Sequence, residues 1–258
     1  MLGKLIKYDL KSIGKTIIPL WITVIILGGI FGFQFRLDYS KLSFGATKTS
    51  LYGMTILVLL LVAIFVAMLV VNIMFIIQRF WNGLLKDEGY LMFTLPVSIR
   101  SLILSKSISA FLISLGSVIA ATIVGVLLLF GVSAYDELAK LGVEVVSLWK
   151  VSMIPDVLIS IATLIWGLFM GIYRMYAAMA IGHLSSKNRL LSSFLAYLGL
   201  SIIVEGSAMW LVDSLWGLLP GNVPEVIYSA VIAILALVQL VAYHAVTEII
   251  LTKRLNLE

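Results

Sequence analysis

Cysteine is absent from the 258 residues, histidine occurs twice and proline five times. Without thiols there is no disulfide framework, no thiolate nucleophile and no Cys-ligated metal site. His183 and His244 stand alone, with no H-E-x-x-H pattern and no paired-aspartate motif, so a metal-dependent intramembrane enzyme lacks its chemical parts. No G-x-x-x-x-G-K-[ST] phosphate loop occurs either. The chain is therefore expected to be no enzyme and to bind no cofactor of its own. Charge is scarce as well: 12% of residues are Asp, Glu, Lys or Arg, against about 25% in a soluble domain.

What the chain has instead is apolar length. Hydrophobic residues make up 62%, and the mean hydropathy is +1.14. Six apolar runs, at 17–33, 53–77, 102–131, 157–182, 191–217 and 226–250, approach or exceed the roughly 20 helical residues that cross a bilayer. No connection between them is long or polar enough to hold a second domain. An all-α, polytopic membrane protein with a single domain over 1–258 is expected. No small-residue cleavage site follows the first apolar run, which argues against a cleavable signal peptide.

The net charge of +5 is spread over short connections, which suits membrane orientation and not nucleic acid. With six crossings both termini share a side. Thirteen of the 18 Lys and Arg fall on that side, in the termini and around 78–106 and 174–190. The basic excess marks it as cytoplasmic. The opposite connections carry Asp136, Glu137, Glu144, Asp156, Asp213 and Glu225.

At the N-terminus Lys4, Lys7, Lys11 and Lys15 recur every three or four residues, opposite Leu2, Leu5, Ile6, Leu10 and Ile13. This periodicity predicts an amphipathic helix over about 1–15, lying on the membrane with its lysines toward lipid headgroups. The competing reading is a basic flank that merely orients the first crossing.

The segment 78–101, QRFWNGLLKDEGYLMFTLPVSIRS, links the second and third runs. Lys86, Asp87 and Glu88 stand beside Gly89, and Tyr90, Leu91, Met92 and Phe93 follow before Pro96. A short amphipathic helix over 82–88, pressed on a partner protein, accounts for large apolar groups beside a charge cluster. A surface hairpin whose aromatics join the interfacial belt accounts for Phe80, Trp81 and Tyr90 alone.

Residues 85–98, Leu-Lys-Asp-Glu-Gly-Tyr-Leu-Met-Phe-Thr-Leu-Pro-Val-Ser, continued by Leu102-Ile103-Leu104-Ser105-Lys106, resemble the cytoplasmic loop after the second crossing of bacterial ABC transporter permeases of the type-2, exporter-like class. The match is specific over about 25 residues, a motif-sized window, and extends in layout to the whole chain. The resemblance implies a multi-pass permease of the bacterial plasma membrane with cytoplasmic termini. It implies a second permease subunit and separate ATP-binding subunits that carry ATP and Mg. Residues 78–101 would be the coupling region, with Lys86, Asp87, Glu88, Gly89, Tyr90, Leu91 and Phe93 contacting the ATPase. The 183–189 connection is a secondary contact or a plain tight turn.

Within the apolar runs, Glu205 is the conspicuous polar group. A carboxylate in lipid needs a partner or a cavity. It lines a translocation path, sits at a permease interface, or marks the end of the fifth crossing near Gly206. The last reading is favoured, with 207–219 as a re-entrant or surface helix bearing Trp210 and Trp216. Asn72, Gln239 and His244 are candidates for the path or interface, although single amides usually bridge helices. Arg174 and Glu248 sit near run ends, where snorkelling suffices. Residues 134–149 fit an outer amphipathic helix.

An ATP-driven export permease for an amphipathic or hydrophobic cargo (peptide, drug or lipid-like) is the leading expectation. The alternative is an ion-coupled secondary transporter with Glu205 as its intramembrane proton or ion site.

Overall fold

A computed structural model describes residues 2–42, 48–86, 89, 97–132, 154–185, 187–218 and 225–253. Every regular element among them is a helix: α1 (Leu2–Leu42), α2 (Lys48–Phe80), α3 (Ile99–Val132), α4 (Ile154–His183), α5 (Arg189–Leu200), α6 (Gly206–Leu218) and α7 (Glu225–Lys253). Two five-residue π-helical stretches, Trp81–Leu85 after α2 and Ser201–Glu205 between α5 and α6, complete the set.

Six segments are long and apolar enough to cross a membrane: Gly3–Gln34, Val62–Leu85, Ile99–Leu128, Val157–His183, Arg189–Ser214 and Ala230–Lys253. The chain is thus built as a multi-pass membrane protein. Side chains such as Ile22, Ile26, Leu69, Val70, Ile202 and Val241 stay exposed along these segments. In a bilayer that apolar surface meets lipid at no hydrophobic penalty.

Two expectations about helix boundaries are corrected. The N-terminal amphipathic stretch is no separate interfacial helix: it runs on into the first crossing as α1, with Pro19 inside. At 1.5 Å per residue its 41 residues extend about 60 Å, twice a hydrocarbon core. Lys4, Lys7, Lys11 and Lys15 do share an exposed face. The opposite face is already used by protein, since Ile13 and Ile17 are buried with Ile113 of α3.

The fifth crossing does not stop at Gly206. Gly206 is itself right-handed helical (φ −61°, ψ −42°), and its N–H bonds back to the carbonyls of Ile202 and Ile203. α6 therefore continues α5 through a widened π turn, and 207–218 belongs to the same crossing. The outer helix expected at 134–149 lies outside the described residues.

The chain divides into two compact units. One comprises Lys7–Phe75 and Phe111–Leu164. Its core joins α1, α2 and α3 through Val24, Met68, Ala120 and Val124. The Trp21 indole N–H donates to Ser117 Oγ at 3.1 Å, and Asn72 Nδ2 donates to Ser114 Oγ at 3.5 Å. The other unit comprises Met1–Ile6, Ile76–Ala110 and Ile165–Glu258, and it holds most of the candidate site.

Candidate functional site

Helix ends gather in this second unit: the C-termini of α2, α4 and α7 and the N-termini of α3 and α5. They are fixed by a buried aromatic core. Phe80, fully buried, stacks on Tyr176 with ring centroids 4.1 Å apart and planes 20° from parallel. Tyr173 meets Tyr176 edge-on at 6.3 Å and His244 of α7 at 5.6 Å. Its hydroxyl shares a 3.1 Å hydrogen bond with Ser107 Oγ of α3. A polar layer therefore lies inside the unit, formed by the serines of the repeat Ser105-x-Ser107-x-Ser109, all buried.

Lys106 lies in that layer with only 2% of its surface exposed. Its Cε and Nζ come within 3.3 Å of where a side chain would begin on Gly83. Glycine in the π turn thus makes room for a buried cation. Read as a sequence, Lys106 is one more orienting base. Its burial is set by packing against residues distant in sequence, which no local pattern signals.

The segment expected to form a coupling helix over 82–88 is different where it is described. Trp81–Leu85 is no separate surface helix but the widened last turn of α2, with Leu84 and Leu85 buried and Lys86 extended beyond it. Gly89 N–H then bonds back to the Lys86 carbonyl at 2.7 Å. A Cβ on Gly89 would stand 2.6 Å from the Leu84 carbonyl oxygen, so this tight return requires glycine. Lys86 is exposed and Gly89 buried. Asp87, Glu88, Tyr90, Leu91 and Phe93 lie outside the described residues.

The α4–α5 turn comes up beside the π turn. Trp81 meets the His183 ring edge-on at 5.9 Å, and that ring also has a backbone hydrogen bond with Leu85. Arg189 Nη1 lies 3.4 Å from His183 Nε2. Gly182 allows the turn to close: a Cβ there would overlap the backbone and hydroxyl of Ser193. Between the two turns is a cleft of about 510 Å³ lined by Trp81, Lys86, Lys187, Asn188, Arg189, Leu190 and Leu191. The described parts of the two connections expected to contact a partner, Lys86 in one and His183, Lys187, Asn188 and Arg189 in the other, lie on either side of the Trp81 turn.

On α7, Glu248 accepts from Arg100 Nε at 2.6 Å, an arrangement beyond simple snorkelling. The more telling pair is deeper. Arg174 Nη1 donates to Glu205 Oε1, and Nη2 donates to the Tyr197 hydroxyl at 3.0 Å. The guanidinium carbon sits 4.9 Å from the Tyr197 ring centroid. Glu205 thus has its counter-charge within the chain, 31 residues away. Glu205 was visible in the sequence as an intramembrane group, but Arg174 read as a snorkelling base near a run end, and the pairing was not visible because the two helices meet only after folding.

Gln239 Nε2 reaches the Val204 carbonyl at 3.5 Å, and Ser207 Oγ donates to the same oxygen at 3.0 Å. Gln239 also lines a cavity of about 240 Å³ with Met209, Val212, Asp213 and Leu235. Asn72, in the other unit, bridges α2 to α3 as described above. Among the described residues no group of three His, Asp or Glu is arranged to hold a metal ion. Comparison with known proteins gives no significant match to any family model, curated protein or solved structure.

Proposed function

We propose that the chain is the membrane-spanning permease subunit of an ATP-driven transporter of the type-2, exporter-like ABC class. In this reading it lies in a bacterial plasma membrane with both termini cytoplasmic. It pairs with a second permease subunit and docks separate ATP-binding subunits, which supply ATP and Mg. An amphipathic or hydrophobic cargo is the class that the resemblance implies.

The observation that supports the reading best is the juxtaposition of two polar turns within the second unit. Lys86, at the end of the π turn of α2, lines one cleft with Lys187, Asn188 and Arg189 of the α4–α5 turn. A partner seated on 86–93 would touch both connections at once. The aromatic stack of Phe80 on Tyr176 and the buried Lys106 tie that seat to α2, α3 and α4. Movement of the seat would therefore be passed to three crossings as rigid bodies. The Arg174 partner of Glu205 weighs against an ion-coupled carrier, because a carboxylate already neutralised by a guanidinium has less need of a transported cation.

Affinity purification of the chain from its host membrane in mild detergent, followed by mass spectrometry, tests the reading. A stoichiometric ATP-binding subunit should be recovered, and it should be lost on Glu88→Ala or Tyr90→Ala while the membrane protein stays monodisperse. Unchanged recovery in both variants would remove 86–93 as the docking segment. Transport by the purified chain without ATP would overturn the permease reading.

A further inference from the structure

We propose that the cleft between the π turn of α2 and the first turn of α5 binds the phosphate of an anionic membrane lipid. Three cations from two separate segments line it: Lys86, Lys187 and Arg189. No carboxylate is among its described lining residues. Arg189 is steadied by His183 at 3.4 Å, while Lys86 and Lys187 are exposed. The floor of the cleft is the first turn of α5, to which Asn188 makes no side-chain cap bond. A helix beginning there adds its own positive dipole end to the lysines.

The place of the cleft along the chain favours a lipid as the source of the anion. The second membrane-capable segment ends at Leu85 and the fifth begins at Arg189, the two edges of this cleft. Cations at the ends of apolar spans are placed to meet lipid phosphate. Trp81 in the cleft wall suits the same layer. Away from the cations, Leu190, Leu191 and Phe194 are exposed by 69%, 56% and 58%, which gives an acyl chain a path along α5. An acidic protein segment would satisfy the charges but leave these leucines uncovered. A volume of about 510 Å³ falls in the range of small-ligand sites. The inference needs the chain to span a membrane and does not rest on the permease reading.

The probe is phosphatidylglycerol, titrated into the detergent-purified full chain and counted by native mass spectrometry, with phosphatidylcholine as the neutral comparison. Phosphatidylglycerol should be retained preferentially. Lys86→Gln/Lys187→Gln should weaken it on the order of 30-fold, roughly fivefold per lysine, with phosphatidylcholine unchanged. Lys4→Gln/Lys7→Gln, on the exposed face of α1, should leave binding as it was. Lys187→Gln alone, at an exposed turn position, gives about a fivefold loss should the double variant not purify as a monodisperse species. Equal retention of the two lipids overturns the proposal, as does equal weakening by the α1 variant. Displacement of the lipid by millimolar sodium phosphate would make the site one for a soluble anion and overturn it too.

Discussion

Arg174 of α4 and Glu205, at the end of the π-helical stretch Ser201–Glu205, form an ion pair within membrane-capable segments, with Tyr197 as a second acceptor for the same guanidinium. The arrangement joins the fourth crossing to the fifth by charge, in a region where apolar contact contributes little to helix association. Lipid tails solvate leucine as well as another helix does, so polar links carry more of the specificity there.

Removing either member leaves a lone charge in the membrane, which costs about 2–3 kcal/mol. Glu205→Gln and Arg174→Gln should each lower the thermal unfolding midpoint in detergent, and the double variant should fall by less than the sum of the two. Strict additivity would show that the two residues are not energetically coupled.

Gly182 and Gly83 make opposite demands. A methyl at 182 meets the Ser193 backbone, which cannot yield without moving α5. Gly182→Ala should cost about 2 kcal/mol or more, in the range of overpacked cores, and loosen the α4–α5 turn as read by limited proteolysis. At 83 the neighbour is the flexible end of Lys106, and alanine gains up to about 1 kcal/mol of helix propensity. Gly83→Ala should leave the unfolding midpoint within a few degrees of the parent.

Phe80→Ala removes a fully buried ring from its stack on Tyr176. Large-to-small changes of this kind cost about 3–5 kcal/mol. The variant should be recovered in low yield by fluorescence-detected gel filtration, while Phe80→Leu restores most of it.

Ser98 caps α3: its hydroxyl accepts from the Ser101 N–H at 3.4 Å, and its carbonyl accepts from the Leu102 N–H at 3.2 Å. Ser98→Ala should cost about 1 kcal/mol, seen as faster amide exchange confined to the first turn of α3. Ser98→Asp, which also caps, should restore protection.

The six crossings were legible because length and hydropathy suffice to define them. Boundaries failed where tertiary contact decided them. Leu10 and Ile13 read as part of a membrane-surface face, yet they pack with Ile113. Gly206 read as a break, yet it is helical and its N–H bonds back into the π turn before it. Lys106 and Arg174 read as peripheral bases, since burial and pairing depend on residues far away in sequence. The meeting of Lys86 with Lys187 and Arg189 was legible only as two separate candidate connections.

The widened turn at Ser201–Glu205 also sets the phase of everything that follows it. A π turn accommodates one residue more than the α-helix around it, and one residue is about 100° of rotation. Deleting a single residue from this stretch would let α5 run into α6 without interruption. It would also swing the faces of α6 round by that angle, withdrawing the Val204 carbonyl from Gln239 and Glu205 from Arg174. The fifth crossing works as two helical faces set at an angle on one axis, and those five residues determine which neighbour each face addresses.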